Sequence, residues 1–181
     1  MFYYDPDMQP PTLQRPDTTT LIGDQVGAYT ELQTFLESGE QQTCFEGFAG
    51  TGKSFLTSML VQHLLASHST KICIAAPTHK ALGVITQMAE FSSDNLSYST
   101  IHSLLGLRPE ITSDGREIFV KDSQSKNRLE EFDLLFCDES SMLDDKLYAY
   151  IKLELDKNAF LKIIFVGDGA QLPPINHKSS I

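Results

Sequence analysis

Apolar residues fall into two kinds of stretch along this chain. In the first kind they recur every three or four positions, the period of a helix with one buried face. Val26, Tyr29, Leu32, Phe35 and Leu36 do so between Asp24 and Ser38, and Gly39 follows as a stop. Phe55, Leu56, Met59, Leu60, Leu64 and Leu65 repeat the pattern from Lys53 to Ser67, as do Leu82, Ile85, Met88 and Ala89 from His79 to Phe91. Thr100 can cap a short helix carrying Ile101, Leu104 and Leu105, and Asp144 to Leu155 reads as a further helix. The second kind is short and unbroken: Thr43–Glu46, Lys71–Ala76 (ended by Pro77), Asp133–Cys137 and Leu161–Val166. Such runs suit strands buried on both faces. Ile111 to Val120 differs, because Asp114-Gly115 is a hairpin turn signal and Ile118-Phe119-Val120 suits the returning strand.

Buried strands separated by helices predict an α/β fold, a parallel sheet covered by helices on both faces, with a small β-hairpin insertion at about 107–122. Ligands on such sheets bind at the carboxyl ends of the strands. Three polar clusters follow directly after predicted strands: Gly47–Ser54, Asp138-Glu139 and Gly167–Gln171.

Composition sharpens this only in places. Four of the eight prolines fall in the first sixteen residues, so residues 1–19 read as an extended arm, from which Phe2, Tyr3 and Tyr4 could dock on the domain or a partner. The three cysteines are far apart and lie in apolar runs, which fits buried free thiols in a reducing, cytoplasmic setting. No apolar run is long enough to cross a bilayer, so no membrane is expected. The net charge of −10 argues against a protein coated in nucleic acid and predicts weak, salt-sensitive affinity for a single strand.

Gly47-Phe-Ala-Gly-Thr-Gly-Lys-Ser fits G-x-x-x-x-G-K-[ST] between a strand and a helix. Gly47, Ala49, Gly50, Thr51 and Gly52 supply a tight backbone whose N–H groups converge on phosphate. Lys53 neutralises the β- and γ-phosphates of ATP, and the Ser54 hydroxyl is a hard ligand for Mg²⁺. Asp138 and Glu139 end an apolar strand, where adjacent carboxylates need a compensating cation. Asp138 would hold the metal and Glu139 would orient and deprotonate the attacking water. Gln171 is an uncharged donor that could sense the γ-phosphate; a polar turn stiffened by Pro173-Pro174 is the alternative.

Taken in order, Gln25, Gly47–Ser54, Ala76-Pro-Thr-His-Lys-Ala81, Thr100-Ile-His-Ser103, Asp138-Glu-Ser-Ser-Met142 and Gly167-Asp-Gly-Ala-Gln-Leu-Pro-Pro174 resemble the first motor domain of superfamily 1 helicases. The resemblance is nearest to the RecD-like branch that includes the phage Dda helicases, and spans roughly residues 20 to 176. It implies a RecA-like motor domain over residues 20–181 and a cytoplasmic protein, phage-encoded ones in a host cell included. It further implies that Gln25 reads the adenine edge and that Gln171 couples hydrolysis to movement. Pro77, Thr78, His79, Thr100 and His102 would lie on the single-stranded DNA side. Phe119 falls where such helicases carry the wedge of a duplex-splitting pin; a plain hairpin covering the core is the rival reading. Ile22 stands where the family usually has threonine, so the helix after it must be capped from elsewhere. The family's second motor domain, with its arginine fingers, is absent from these residues and would act in cis or in trans. The implied function is the ATP-binding half of a 5′-to-3′ DNA helicase that binds Mg-ATP but turns over slowly alone. A nucleotide-binding interaction module without unwinding activity is the alternative. A P-loop kinase fits less well, because the acids at 138–139 suit hydrolysis by water.

Overall fold

A computed structural model describes residues 17–47, 50–67, 69–88, 92–121 and 125–167. Most of the arm, Ala49 and the segment holding Gln171 lie outside the described residues. In chain order the elements are α1 (Asp24–Glu37), β1 (Gln42–Glu46), α2 (Lys53–Ser67), β2 (Ile72–Ala76), α3 (His79–Met88) and β3 (Leu96–Thr100). Then follow α4 (Ile101–Leu104), β4 (Leu107–Ile111), β5 (Glu117–Lys121), β6 (Leu134–Cys137), α5 (Asp145–Lys157) and β7 (Lys162–Gly167).

Five strands form one parallel sheet in the order β1-β7-β6-β2-β3. Successive side chains in a strand point to opposite faces, and both faces here are apolar. Ile72, Ile74, Leu134, Phe136, Ile164 and Val166 meet α1 and α2 through Tyr29, Leu32, Phe35, Leu56 and Leu60. Cys73, Ala75, Leu135, Cys137, Ile163 and Phe165 meet α4 and α5 through Ile101, Leu104, Leu147, Ile151 and Leu155. Full burial of Phe136 and Phe165 contributes about 2–3 kcal/mol each. None of the helices among the described residues is long and apolar enough to cross a membrane.

The sequence pattern predicts four sheet strands; β3 is a fifth. Its residues Leu-Ser-Tyr-Ser-Thr form no apolar run, because an edge strand has one neighbour and needs less apolar cover. The hairpin lies within the expected 107–122: Leu107–Ile111 pairs antiparallel with Glu117–Lys121, with Pro109 opposite Phe119. Gly115 takes φ +80° in the turn, as the Asp-Gly signal requires.

One lysine fixes the end of α1. Lys162 Nζ donates to Phe35 O (3.1 Å), Ser38 O (2.8 Å) and Glu40 O (2.6 Å), and lies 4.7 Å over the Phe35 ring. Carbonyls freed at a helix end thereby gain a charged donor.

Candidate functional site

Because the strands run parallel, their carboxyl ends share one edge. The strand order therefore sets out, side by side, Gly47 after β1, Gly167 at the end of β7, Asp138 after β6, Pro77 after β2 and Thr100 closing β3. The three polar clusters identified in the sequence fall on three adjacent strands, as far as they are described.

Gly47 opens the phosphate loop, and α2 begins at Lys53. Gly50 and Gly52 have φ +80° and +85°, a conformation L side chains rarely adopt. A Cβ on Gly47 would come 2.8 Å from Thr51 Oγ1, and one on Gly52 would come 2.6 Å from Gln25 Nε2. Lys53 donates to the Gly47 carbonyl. Ser54 is exposed in the first turn of α2.

Among the described residues no side chain caps α1 in place of the missing threonine at Ile22. The N-cap of α1 is Gly23, which has no side chain to offer. Gln25 Oε1 reaches back to accept from Ile22 N (3.3 Å), while its Nε2 donates to Thr51 O (3.2 Å). One amide thus braces the turn before α1 and ties the helix to the phosphate loop.

The acidic pair leaves β6 in an unusual turn. Asp138 N donates to Ala75 O (2.8 Å), and Asp138 Oδ1 accepts from Glu139 N (2.9 Å). Glu139 is exposed and left-handed (φ 51°, ψ 36°), the one non-glycine residue with positive φ among the described residues. Burial raises the Asp138 pKa above the usual carboxylate range; the Glu139 charge adds to this, while the Glu139 N–H and the Lys53 ammonium oppose it. A half-buried acid at a phosphate cradle fits a divalent cation, which would relieve that desolvation. Ser140, which sequence reasoning passed over, is buried and donates to Val166 O (3.0 Å).

The residues expected on the DNA side divide sharply. Pro77 is buried, and Thr78 accepts from Ala81 N (3.2 Å), capping α3. Thr100 is buried and accepts from Ser103 N (3.2 Å), capping α4. His79 is exposed beside exposed Lys80. His102 and Phe119, both half-buried, stack on each other with ring centroids 3.6 Å apart. Phe119 also packs against the core, and its carbonyl accepts from Lys146 Nζ (3.4 Å). A cleft of about 180 Å³ lies there, lined by His102, Ile118, Phe119, Asp144, Lys146 and Tyr150 among others. Of the six residues expected on the DNA side, His79 alone is both exposed and clear of these caps and stacks. At Phe119 the hairpin packs against the core.

A family model described as an AAA domain matches residues 33–177. The chain belongs to that family. Within it, this is a superfamily 1 helicase motor domain of the Dda, RecD and Pif1 kind. It is 29% identical to the ATP-dependent DNA helicase dda of Enterobacteria phage T4, over 83% of this chain and 32% of the relative. It is 31% identical to the RecBCD enzyme subunit RecD of Buchnera aphidicola, over 74% of this chain and 23% of the relative. The motor domain thus spans a third or less of these relatives' length. Its fold matches Bacteroides Pif1 in complex with ADP-AlF4, with TM-score 0.57 and 23% identity over 83% of this chain and 34% of that one. Bacteroides Pif1 bound to ssDNA matches with TM-score 0.53 and 24% identity, over 83% of this chain and 33% of that one.

Proposed function

We propose that this motor domain binds Mg-ATP and serves as the first motor domain of a 5′-to-3′ DNA helicase, coupling hydrolysis to movement along single-stranded DNA. The observation that carries the reading is the shared edge: a glycine-rich loop on β1 and an acidic pair on β6, with only β7 between them. Loop N–H groups and the start of α2 would face the phosphates. Lys53 would exchange the Gly47 carbonyl for the β- and γ-oxygens. Ser54 and Asp138 would hold Mg²⁺, which when bound supplies positive charge beside the β- and γ-phosphates. Glu139 would accept a proton from water in line with the γ-phosphorus. Gln25 would read adenine by giving up its present partners, and Gln171 would sense the γ-phosphate.

Transition-state charge would need an arginine from a second motor domain, in cis or in trans. A single strand would cross the β2 and β3 end of the edge, where the exposed His79 ring can stack on a base. Pro77, Thr78 and Thr100 would shape that path mainly through backbone and caps.

Calorimetry of the purified chain with magnesium and ATP tests the site. Binding is expected for the natural sequence and for Glu139→Gln, and none for Lys53→Ala at an unchanged circular dichroism spectrum. Unchanged ATP affinity in Lys53→Ala would sink the assignment. The second reading, an interaction module without motor activity, is favoured by the net charge of −10. Acceleration of turnover by single-stranded DNA, once an arginine-bearing second domain is supplied, separates the two; no acceleration favours the module.

A further inference from the structure

The end of β7 holds more than its own loop. β6 stops at Cys137, opposite Phe165, so the parallel ladder between the two strands ends there. One residue further, the Val166 carbonyl accepts the Ser140 hydroxyl at 3.0 Å. On the other flank, the Gly167 carbonyl accepts Gly47 N at 3.3 Å. Two successive carbonyls of β7 thus hold the acidic loop on one side and the root of the phosphate loop on the other. Ser140 is 1% exposed, so its hydroxyl has no water to turn to.

The geometry before Ser140 shows what this bond secures. The chain leaves β6, turns left-handed at Glu139 and folds Ser140–Met142 into a single 3₁₀ turn, closed by Met142 N donating to Glu139 O at 2.9 Å. A left-handed non-glycine residue is strained and persists only where its surroundings hold it. The Ser140–Val166 bond is the contact on the far side of that turn which anchors it to the sheet.

We infer that Ser140 is a positioning residue: its hydroxyl supplies a side-chain rung beyond the β6–β7 ladder and thereby sets the Asp138 and Glu139 carboxylates against the phosphate loop. Ser140 touches neither nucleotide nor metal. It acts through the end of β7, whose successive Val166 and Gly167 carbonyls hold the two loops. The inference rests on the proposed Mg-ATP site.

The test separates metal-dependent from metal-independent binding. Ser140→Ala removes the donor, and Ser140→Cys keeps the side-chain shape with a much weaker donor. ATP affinity is measured for each by competition with a fluorescent nucleotide, once in saturating Mg²⁺ and once in EDTA. Both variants should bind ATP in EDTA within about twofold of the natural chain, since the amide cradle and Lys53 are untouched. In Mg²⁺ they should bind roughly tenfold more weakly, the scale of losing an orienting contact behind a metal ligand. Unchanged affinity in Mg²⁺, or equal losses in Mg²⁺ and EDTA, would overturn the positioning role while leaving the nucleotide site standing. Failure of the natural chain to bind ATP in Mg²⁺ would remove the site, and this role with it.

Discussion

Asp138 shows how a single residue can be costly to the fold and useful to the site. Burial raises its pKa, with the Glu139 charge adding to the shift and the Glu139 N–H and Lys53 only partly opposing it. A carboxyl whose folded pKa lies above its unfolded value destabilises the fold when ionised, and that penalty disappears once pH falls below the unfolded pKa. Asp138→Asn is therefore expected to raise Tm at pH 7 without nucleotide. The gain over the natural chain should shrink as pH falls through the raised pKa. Thermal melts from pH 7 to pH 4 check this; a gain that grows on acidification would contradict it. The placement of the glycine-rich loop and of Asp138-Glu139 at the ends of strands was legible in the sequence, because each follows a stretch that reads as a strand. The second uses of Gln25 and Ser140 were not. A glutamine tying the start of its helix to the phosphate loop and a serine completing a sheet ladder depend on what lies across from them, and nothing local encodes that.

The hairpin carries the clearest lesson at the level of elements. Asp114-Gly115 announced its turn, but not which way Phe119 would face. The half-buried ring stacks on His102 and packs against the core, so β4 and β5 are held down at their middle. Phe119→Ala should loosen the hairpin at a cost of roughly 1–3 kcal/mol, below the range for a fully buried phenylalanine because the ring is half-exposed. Hydrogen exchange over 107–121 should quicken while ATP affinity stays the same. Unchanged exchange would mean the stack does not hold the hairpin. The strands β2, β6 and β7 were readable from apolar runs, because burial on both faces leaves little freedom of composition, whereas β1, half-buried at the sheet's other edge, was readable from the glycine-rich turn it runs into. β3 escaped notice for the opposite reason: Ser97, Ser99 and Thr100 are tolerated on an edge strand.

Across the whole molecule, charge and topology pull in different directions. The strand order places the phosphate loop at one end of the carboxyl edge and the β2 and β3 loops at the other, so one surface can serve two polyanions. Yet the chain carries a net charge of −10, and exposed Lys80 beside His79 is a slender electrostatic track. Affinity of the isolated chain for single-stranded DNA is expected to be weak, with a shallow dependence on salt set by one or two phosphate contacts. Fluorescence anisotropy with a labelled oligonucleotide between 25 and 200 mM salt (about one decade) reads that slope. A slope of six or more contacts would reveal a basic track that the exposed residues do not suggest.

β1 is an outer strand, hydrogen-bonded to β7 and to no other strand among the described residues. The cradle is therefore slung from the sheet's margin, like a hinge leaf screwed down along one side. Whatever settles into it would brace the side of β1 that no strand among the described residues pairs. Occupancy of the site would then be felt as stiffness in that margin before any part of the molecule changes shape.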